Sequence, residues 1–365
     1  MPERKTVLFL SNHFITLYFF RRELIERLVS RGHRVVLSMP DDERNSYFSD
    51  LGCEIIVTPM SRRGLNPVED LKLLRQYRRI LREVKPDVIF SYTSKPDIYG
   101  SLASNALGYR QVCNITGLGS SLVYDNLLAK TVRALYRVSI KKCYKVFFQN
   151  SGDKDYFVRH RIVRDNWEVI PGSGVNLTQH ALTPMPDDGE IRFLYSGRIM
   201  AVKGIDQLLD CARAVREKHP ETRFYLAGFI EQEKLRAPIE AAQKAGYVEY
   251  LGFQKDIDSW IRRCHCTILP SLGGEGVPNA VLESAATGRA CIVSDIDGSR
   301  DAVDDGVTGF LFRPGDSADL IDKVEHFLAL SKEERGQMGL AGHEKAAREF
   351  DREIIVQRYL REVEG

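Results

Sequence analysis

The chain has 365 residues, of which 43% are hydrophobic and 28% are charged, and its formal net charge is +2. This length is more than one hydrophobic core usually fills, so two domains are expected, and the composition excludes disordered and fibrous proteins. No apolar run approaches the ~18 residues of a membrane-spanning helix, and the opening stretch MPERKTVLFLSNHF lacks a signal-peptide pattern. Seven cysteines without C-x-x-C spacing favour reduced thiols, so we expect a cytoplasmic protein.

The first half of the chain alternates short apolar runs with helical patterns. TVLFL at residues 6–10 predicts a strand, and residues 17–32 predict an amphipathic helix that ends at a glycine. Further strands are predicted at 34–39, 54–59, 87–92 and 145–150. Short β-branched or aromatic runs separated by helices are typical of parallel strands buried on both faces of a sheet.

A stretch rich in Gly and Pro interrupts this alternation, which then restarts. Strands are predicted at 191–197, 223–228, 248–252, 266–271 and 290–295, and a capping box from Ser331 to Glu334 predicts a late helix. The sequence therefore predicts an α/β protein with two doubly wound, Rossmann-like domains facing a cleft, where ligands of such sheets bind. We assign 1–170 to an N-terminal domain that faces the acceptor and the membrane, 171–190 to a linker, 191–349 to a C-terminal domain that binds the donor, and 350–365 to a helix returning towards the N-terminal domain.

The stretch GGEGVPNAVLESAATG, at 273–288, combines glycines, a helix start and two carboxylates. Pro278 fits the first position of a helix over 279–286, and the amides and dipole of such a helix start favour a phosphate. Glu283 is about one turn inside this helix, so its side chain leans back towards the same end. A carboxylate there suits the vicinal hydroxyls of a ribose, and Glu275 in the loop would reach hydroxyls of a second sugar.

A second loop supplies positive charge. LYSGRIMAVKGID, at 194–206, ends a predicted strand and opens a helix, with Arg198 and Lys203 in the connection. Arg offers a planar fork for phosphate oxygens, and Lys offers a movable point charge. One charge pair at about 4 Å is worth ~4 kcal/mol at an effective dielectric constant near 20, so two such pairs could offset a diphosphate leaving group. The two loops together suit a nucleotide-sugar, and we expect no cofactor.

Other kinds of site are less favoured. The turn after the opening strand has no G-x-G-x-x-G, which argues against a dinucleotide-dependent oxidoreductase. D-x-D matches at 256–258 and 295–297 are interpreted as a helix cap and a strand end, and the Cys264-His265-Cys266 cluster as buried groups. We therefore predict no metal site.

The loop motifs resemble a known family. SGR and KG within 196–204, followed by LPSLGGEGVPNAVLES, resemble the retaining glycosyltransferases of family 4, which have the GT-B fold. SNHFITLYFFRRELIERLVSRGHRVVLSMPDD, SYTSKPDIYGSLASNALG and NITGLGSS are similar to the bacterial branch that extends undecaprenyl-diphosphate-linked sugars. The resemblance covers nearly the whole chain. It implies transfer of a hexose or N-acetylhexosamine from a UDP-sugar to a polyprenyl-diphosphate-linked sugar acceptor in bacterial glycan assembly.

The resemblance also implies roles for individual residues. Arg198 and Lys203 would bind the donor diphosphate, Glu275 the transferred sugar and Glu283 the ribose. The other predicted donor-binding residues are Gly276, Val277, Pro278, Asn279, Asn12 and His13, and the predicted acceptor residues are Lys95, Thr116 and Gly117. His13 fits an active-site role and a packing role equally well.

The proton acceptor departs from the family pattern. Many relatives carry a His or Glu where this chain has Thr116, and no general base is evident. A front-face mechanism, in which the departing β-phosphate takes the proton of the acceptor hydroxyl, needs none. Two alternatives stay open at this point: another GT-B enzyme such as a UDP-sugar 2-epimerase, and a non-catalytic protein that binds sugar nucleotides.

Charge is distributed unevenly along the chain. Residues 1–175 carry 28 Lys and Arg against 18 Asp and Glu, a net charge of +10, whereas the remainder is acidic. A predicted helix places its basic residues on one face and Leu128, Val132 and Leu135 on another; the basic residues are Lys130, Arg133, Arg137, Lys141 and Lys145. Such a helix suits either an anionic membrane surface or solvent.

The charge asymmetry favours the membrane surface, and further arginines add to the basic character: Arg62, Arg63, Arg75, Arg78, Arg79 and Arg82. We therefore expect peripheral association with the inner face of the cell membrane. Nucleic acid is another polyanion, but no aromatic-interleaved motif or zinc module supports it.

Overall fold

A computed structural model describes residues 3–61, 66–119, 122 and 126–365. The chain forms two compact units, of which the first contains residues up to Ser173 together with Glu353–Gly365, and the second contains Gly174–Arg352. The predicted linker at 171–190 therefore divides between them, because its residues from Gly174 onward pack with the second unit. The predicted basic residues Arg62 and Arg63 lie outside the described residues.

The first unit contains a parallel sheet in the order β3-β2-β1-β4-β5-β6-β7. Its strands are β1 (Thr6–Leu10), β2 (Arg34–Met39), β3 (Glu54–Val57), β4 (Val88–Tyr92), β5 (Gln111–Ile115), β6 (Lys145–Phe148) and β7 (Trp167–Val169). Its helices before the second unit are α1 (Phe14–Ser30), α2 (Ser46–Asp50), α3 (Pro67–Val84), α4 (Ser94–Leu107), α5 (Leu127–Ser139) and α6 (Ser151–Arg159).

The second unit contains a parallel sheet in the order β10-β9-β8-β11-β12-β13. Its strands are β8 (Ile191–Ser196), β9 (Thr222–Ala227), β10 (Glu249–Gly252), β11 (Cys266–Leu269), β12 (Ala290–Ser294) and β13 (Gly309–Phe312). The helices that follow β8 are α7 (Ile205–Lys218), α8 (Arg236–Lys244), α9 (Ile257–Arg263), α10 (Asn279–Ala286), α11 (Asp297–Ala302), α12 (Ser317–Ala329), α13 (Lys332–Glu349) and the C-terminal α14 (Arg352–Glu364).

Each sheet is covered by helices on both faces, as predicted for a doubly wound α/β protein. In the first unit, side chains of α3, α4 and α5 form the core on one face, and those of α1 and α14 form it on the other. All residues of β4 and β12 are buried, which explains why these strands are continuous apolar runs rather than alternating patterns.

All of the predicted strands are present, but β5, β7 and β13 were not predicted. β5 was not predicted because its sequence, QVCNI, includes two polar residues, which the structure nevertheless buries. The Gln111 side-chain amide donates to the Ser91 hydroxyl at 2.8 Å, and the Asn114 amide donates to the Ser91 carbonyl at 2.9 Å. Hydrogen bonding offsets the cost of burying these amides, so polarity alone misled the prediction.

Local capping decides where two helices begin. α1 begins before the predicted residue 17 because the His13 side chain caps it, with Nδ1 accepting from the Ile15 amide at 3.0 Å. The predicted capping box of α13 is present, since Ser331 and Glu334 each accept a hydrogen bond from the backbone amide of the other.

The C-terminal helix α14 packs on the first unit from Glu353 onward. Tyr359 is fully buried, its hydroxyl bonds to the Asn114 side-chain carbonyl, and its ring centroid lies 5.1 Å from that of Phe90. At the end of the helix, Glu364 accepts from Arg31 at 2.6 Å and lies 3.1 Å from the buried His33 ring. The chain thus returns to complete the core of the first unit.

We expect Tyr359→Ala to destabilise the first unit by about 3–5 kcal/mol, because a buried aromatic ring is lost and a cavity remains. Tyr359→Phe, which keeps the ring and removes only a hydrogen bond, should cost about 1 kcal/mol. Urea unfolding followed by circular dichroism measures both, with the exposed Arg361→Ala as control. A midpoint for Tyr359→Ala equal to that of the control would show that the helix contributes little to the core.

Candidate active site

The predicted donor residues converge at one edge of the second sheet. Because its strands are parallel, their carboxyl ends lie at the same edge. β8 and β11 are neighbours in this sheet, and the loops after them carry the predicted basic residues and the glycine-rich stretch respectively. The α/β topology therefore brings together two motifs that are about seventy residues apart in the chain.

Arg198 lies in the loop directly after β8. Its guanidinium Nη1 donates to Glu231 at 3.1 Å, and the arginine side chain remains 47% exposed whereas that of Glu231 is 13% exposed. The Tyr195 hydroxyl donates to the Arg198 carbonyl at 2.8 Å from beneath the loop. The backbone of Arg198 is thus held in place while its guanidinium is half exposed to solvent, as an anion-binding group requires.

Lys203 ends the same loop and forms an ion pair with Glu275. The Ser271 hydroxyl donates to the same carboxylate oxygen at 2.6 Å, and both charged side chains are mostly buried. Burial by itself raises the pKa of Glu275, but the Lys203 ammonium and the Ser271 hydroxyl outweigh it and hold that pKa below its ordinary value. Glu275 is therefore a carboxylate at neutral pH.

The helix after the glycine-rich loop begins as the sequence predicts, at Asn279, but Pro278 is its N-cap rather than its first residue. Proline has no polar side-chain atom, so its side chain cannot cap the first amides of α10, and such an uncapped helix start suits an anionic ligand. Val277 is 4% exposed and belongs to the core, so only its backbone is available to a donor.

Glu283 is one turn inside α10 and is mostly buried. Burial raises the pKa of Glu283 to about 7, the Asp258 carboxylate adds to that rise, and the Arg352 guanidinium opposes it. The two glutamates of the motif therefore differ: Glu275 stays ionised across the neutral range, and Glu283 changes its charge within it.

Close backbone packing shapes the glycine-rich loop. A β-carbon added to Gly298, at the start of α11, would lie 1.7 Å from the carbonyl oxygen of Gly276 and 3.0 Å from that of Glu275. Neither is a flexible side-chain atom that could move aside. Only glycine at position 298 allows the loop to lie against the start of α11 in this way.

The remaining predicted donor residues and the predicted acceptor residues belong to the first unit. Asn12 and His13 follow β1, and the Lys95 ammonium at the start of α4 pairs with Asp70 at 2.8 Å. Thr116 follows β5 and is exposed, and Gly117 has a φ of +123°. All five lie beyond the carboxyl ends of strands of the first sheet.

The predicted basic face of α5 differs in part from the structure. Lys130 and Arg137 are exposed, but Arg137 donates to the His160 carbonyl at 2.8 Å and Arg133 donates to the Tyr156 hydroxyl at 3.0 Å. Lys141 follows the end of the helix and is partly exposed.

Two predictions about this helix were wrong. Lys145 does not lie on the helix, which ends at Ser139; it lies in β6 and pairs with Glu362 at 2.6 Å. Val132 faces the core rather than the surface. Leu128 is exposed, and so are Leu127 and Val138, which were not predicted.

The other candidate motifs have structural partners. Asp256 caps α9 by accepting from the Ser259 amide at 3.1 Å, and Asp295 accepts from Arg300 at 2.7 Å. Burial raises the pKa of the Cys264 thiol to about 12. Within the described ranges, no group of three His, Cys, Asp or Glu residues is arranged to hold a metal ion. Among the described helices, none combines the length and the apolar character needed to cross a membrane.

Sequence reasoning missed four residues of this site: Glu231, Ser271, Asp258 and Arg352. The first two had a usable signal, because they lie in the loops that follow β9 and β11, at the edge of the sheet where ligands bind. Asp258 was interpreted only as part of a capping motif, and Arg352 lies far along the chain from α10. Only the folded structure brings its charge to Glu283.

Comparisons with known proteins identify the two domains. The family model for glycosyl transferases group 1 matches residues 190–329, and that for a glycosyl transferase 4-like domain matches residues 20–172. The chain is 29% identical to an N,N'-diacetylbacillosaminyl-diphospho-undecaprenol alpha-1,3-N-acetylgalactosaminyltransferase of Campylobacter jejuni, over 97% of this chain and 96% of the relative. It is 25% identical to an Escherichia coli UDP-Gal:alpha-D-GlcNAc-diphosphoundecaprenol alpha-1,3-galactosyltransferase, over 78% of this chain and 75% of the relative.

Solved structures share the fold. A glycosyltransferase from Rickettsia africae aligns with a TM-score of 0.80 at 17% identity, covering 98% of this chain and 97% of that one. Anabaena HepE in complex with UDP-glucose aligns with a TM-score of 0.78 at 18% identity, covering 97% and 98%. The two domain matches together span most of the chain, in the same order as its two units. The chain therefore belongs to the group 1 glycosyltransferases with a 4-like N-terminal domain, and it is a glycosyltransferase of the GT-B fold.

Proposed function

We propose that the enzyme transfers a hexose or N-acetylhexosamine from a UDP-sugar to a sugar linked to polyprenyl diphosphate, with retention of configuration. The observation that carries this proposal is the ion pair of Lys203 with Glu275 in the loop before α10, with Arg198 near enough to lower the pKa of the same carboxyl group. Two relatives that match most of the chain act, by their names, on sugars linked to diphosphoundecaprenol, and one of them uses UDP-Gal. These names support the choice of acceptor and of nucleotide.

The donor fits the site in one orientation. The diphosphate lies between the cations Arg198 and Lys203 and the first amides of α10, where the helix dipole adds positive potential. Glu283 accepts hydrogen bonds from the ribose hydroxyls, and Glu275 accepts from hydroxyls of the transferred sugar. Gly276, Val277 and Asn279 contribute backbone amides, and the carbonyl of Pro278 begins the helix.

The reaction needs no protein base in this proposal. The bond between the anomeric carbon and the β-phosphate oxygen breaks, and the acceptor hydroxyl oxygen bonds to that carbon on the same face. The proton of the hydroxyl goes to the departing β-phosphate oxygen. Arg198 and Lys203 stabilise the negative charge that develops on this leaving group, which is where fixed cations contribute most to catalysis.

The acceptor is assigned to the first unit. The Lys95 ammonium at the start of α4 provides a cation for the acceptor diphosphate, and the exposed Thr116 and Gly117 lie in the loop after β5. Asn12 and His13, after β1, complete the donor side of this proposal. The His13 ring also caps α1, since its Nδ1 accepts from the Ile15 amide, and this hydrogen bond fixes the ring at the end of β1.

A donor panel tests the function directly. We expect release of UDP, and not GDP, only when both a UDP-sugar and a polyprenyl-diphosphate-linked sugar are present, with no loss of rate in EDTA. Conversion of the sugar nucleotide without an acceptor would instead indicate an epimerase. Binding without UDP release under any of these conditions would indicate a non-catalytic protein.

Arg198→Ala should lower kcat/KM by about 100- to 1,000-fold, since one charge contact to the leaving group is worth ~3–4 kcal/mol in the transition state. Arg213→Ala is the matched control, because this arginine on α7 is 59% exposed and lies outside the loops of the site. Steady-state UDP release measures both variants. Turnover by Arg198→Ala at the rate of the control would remove Arg198 from the proposed mechanism.

Gly298→Ala should raise the KM for the donor, because the new methyl group would displace the Glu275–Gly276 backbone that it meets at 1.7 Å. The matched control is Gly336→Ala in α13, where the added β-carbon meets no atom within 4 Å and alanine is expected to stabilise the helix by about 0.5–1 kcal/mol. Donor titrations and thermal unfolding separate the two effects. Equal donor KM values for both variants would contradict the steric role of Gly298.

We also propose that the first unit binds an anionic membrane surface through α5 and α3. Leu127 is 80% exposed and Val138 is 63% exposed on α5, beside Lys130 and Lys141. On α3, exposed Val68 and Leu71 share a helical face with basic residues: Lys72, Arg75, Arg79 and Arg82. Apolar side chains flanked by cations are typical of helices that lie in the membrane interface. This surface accounts for the basic first half of the chain and supports a location at the inner face of the cell membrane.

The double variant Lys130→Gln, Lys141→Gln should bind phosphatidylglycerol vesicles about 30-fold more weakly, because each basic residue near an anionic surface contributes about 1 kcal/mol. Sedimentation of the full chain with the vesicles measures this partition, and phosphatidylcholine vesicles provide the uncharged comparison. An unchanged partition in phosphatidylglycerol would exclude α5 from the membrane-binding surface.

A further inference from the structure

One backbone carbonyl joins three distant parts of the second unit. The Gly174 carbonyl accepts two hydrogen bonds from the Arg352 guanidinium, from Nε at 3.0 Å and from Nη2 at 2.9 Å. The Asn279 side-chain amide, at the start of α10, lies 3.5 Å from the same oxygen. Gly174 and Arg352 are the first and last residues of this unit, so both of its chain ends meet beside the donor helix.

The backbone fixes the position of this arginine. The Arg352 amide donates to the Val175 carbonyl at 2.9 Å, and the Val175 amide donates to the Phe350 carbonyl at 2.8 Å. Arg352 is only 9% exposed. Its guanidinium is therefore held within the protein, and it is not a flexible surface group.

The same guanidinium acts on the Glu283 carboxyl group. The charged groups that face Glu283 are Arg352 and the Asp258 carboxylate on α9. Asp258 is itself bonded to the His180 ring at 3.1 Å and to Arg262. Arg352 is thus the cation that opposes the effects of burial and of Asp258 on Glu283.

We propose that Arg352 is a positioning residue of the donor site, which anchors the amino end of α10 through the Gly174 carbonyl and favours the carboxylate form of Glu283 for the ribose hydroxyls. This inference rests on the proposed function, because it takes Glu283 as the ribose ligand. Arg352 itself contacts neither substrate. It works through α10 and through its charge.

The pH dependence of donor binding tests this proposal. The Glu283 carboxyl is largely ionised above its pKa of about 7. The donor KM of the wild type should therefore fall as the pH rises, and a plot of KM against pH should show a break near pH 7. In Arg352→Gln the cation is lost, so this break should move upward by about one pH unit, and the KM at pH 7 should rise about fivefold because the ionised fraction of Glu283 falls by that factor. We expect kcat at saturating donor to change by less than about twofold, because Arg352 does not contact the leaving group.

Two further variants serve as controls for this test. Arg348→Gln, an exposed arginine on α13, should leave the break and the KM unchanged. Arg352→Lys keeps the charge but not the fork, so we expect the wild-type break with a KM raised about threefold. If Arg352→Gln does not fold by thermal unfolding, Arg352→Lys carries the test, and a KM equal to that of the wild type overturns the anchoring role.

Glu283→Gln separates failure of this inference from failure of the proposed donor site. If Glu283→Gln leaves the donor KM and its pH dependence unchanged, Glu283 is not the ribose ligand and the proposed donor site fails with it. If Glu283→Gln abolishes the break but Arg352→Gln does not shift it, the donor site stands and only the role of Arg352 is overturned.

Discussion

The donor loops of the second unit depend on the ion pair between Lys203 and Glu275, which joins the loops that follow the neighbouring strands β8 and β11. Both side chains are mostly buried, and removing one partner would leave an uncompensated charge, at a cost of about 3–5 kcal/mol. The Ser271 hydroxyl satisfies the same carboxylate. Each charged residue is thus held in place by its partner before any donor arrives. In the proposed mechanism, the donor diphosphate offers Lys203 a second anion.

Backbone packing imposes the same geometry independently of charge. A β-carbon on Gly204 would lie 1.9 Å from the Pro270 carbonyl oxygen, and one on Gly228 would lie 1.8 Å from that of Gly197. The loops after β8, β9 and β11 therefore lie backbone against backbone at the carboxyl edge of the sheet. Glycine is needed at these positions because any side chain would separate the loops and move Arg198 and Lys203 relative to α10.

Sequence patterns predicted most of the fold, because parallel strands buried on both faces are apolar runs and helices carry their caps in the sequence. They failed at β5, where Gln111 and Asn114 are buried by hydrogen bonding, and at Lys145, where helical spacing continued past the end of α5. The loops containing Arg198 and Glu275 were predictable because each directly follows a strand. Arg352 was not, since its importance comes from Glu283, which only tertiary structure places beside it.

The spacing of the two glutamates places the two carboxyl groups of one motif in different electrostatic environments. Glu275 lies in a loop, within reach of Lys203 and Ser271, so its carboxylate is stabilised and its pKa is held low despite burial. Glu283 lies one turn inside α10, where burial and Asp258 act against its charge and raise its pKa to about 7. Glu275 and Glu283 thus lie on either side of the start of α10, but their surroundings shift their pKa values in opposite directions. The cation that opposes the rise in the pKa of Glu283 belongs to Arg352, the last residue of the second unit, so the charge of Glu283 depends on where the chain leaves this domain.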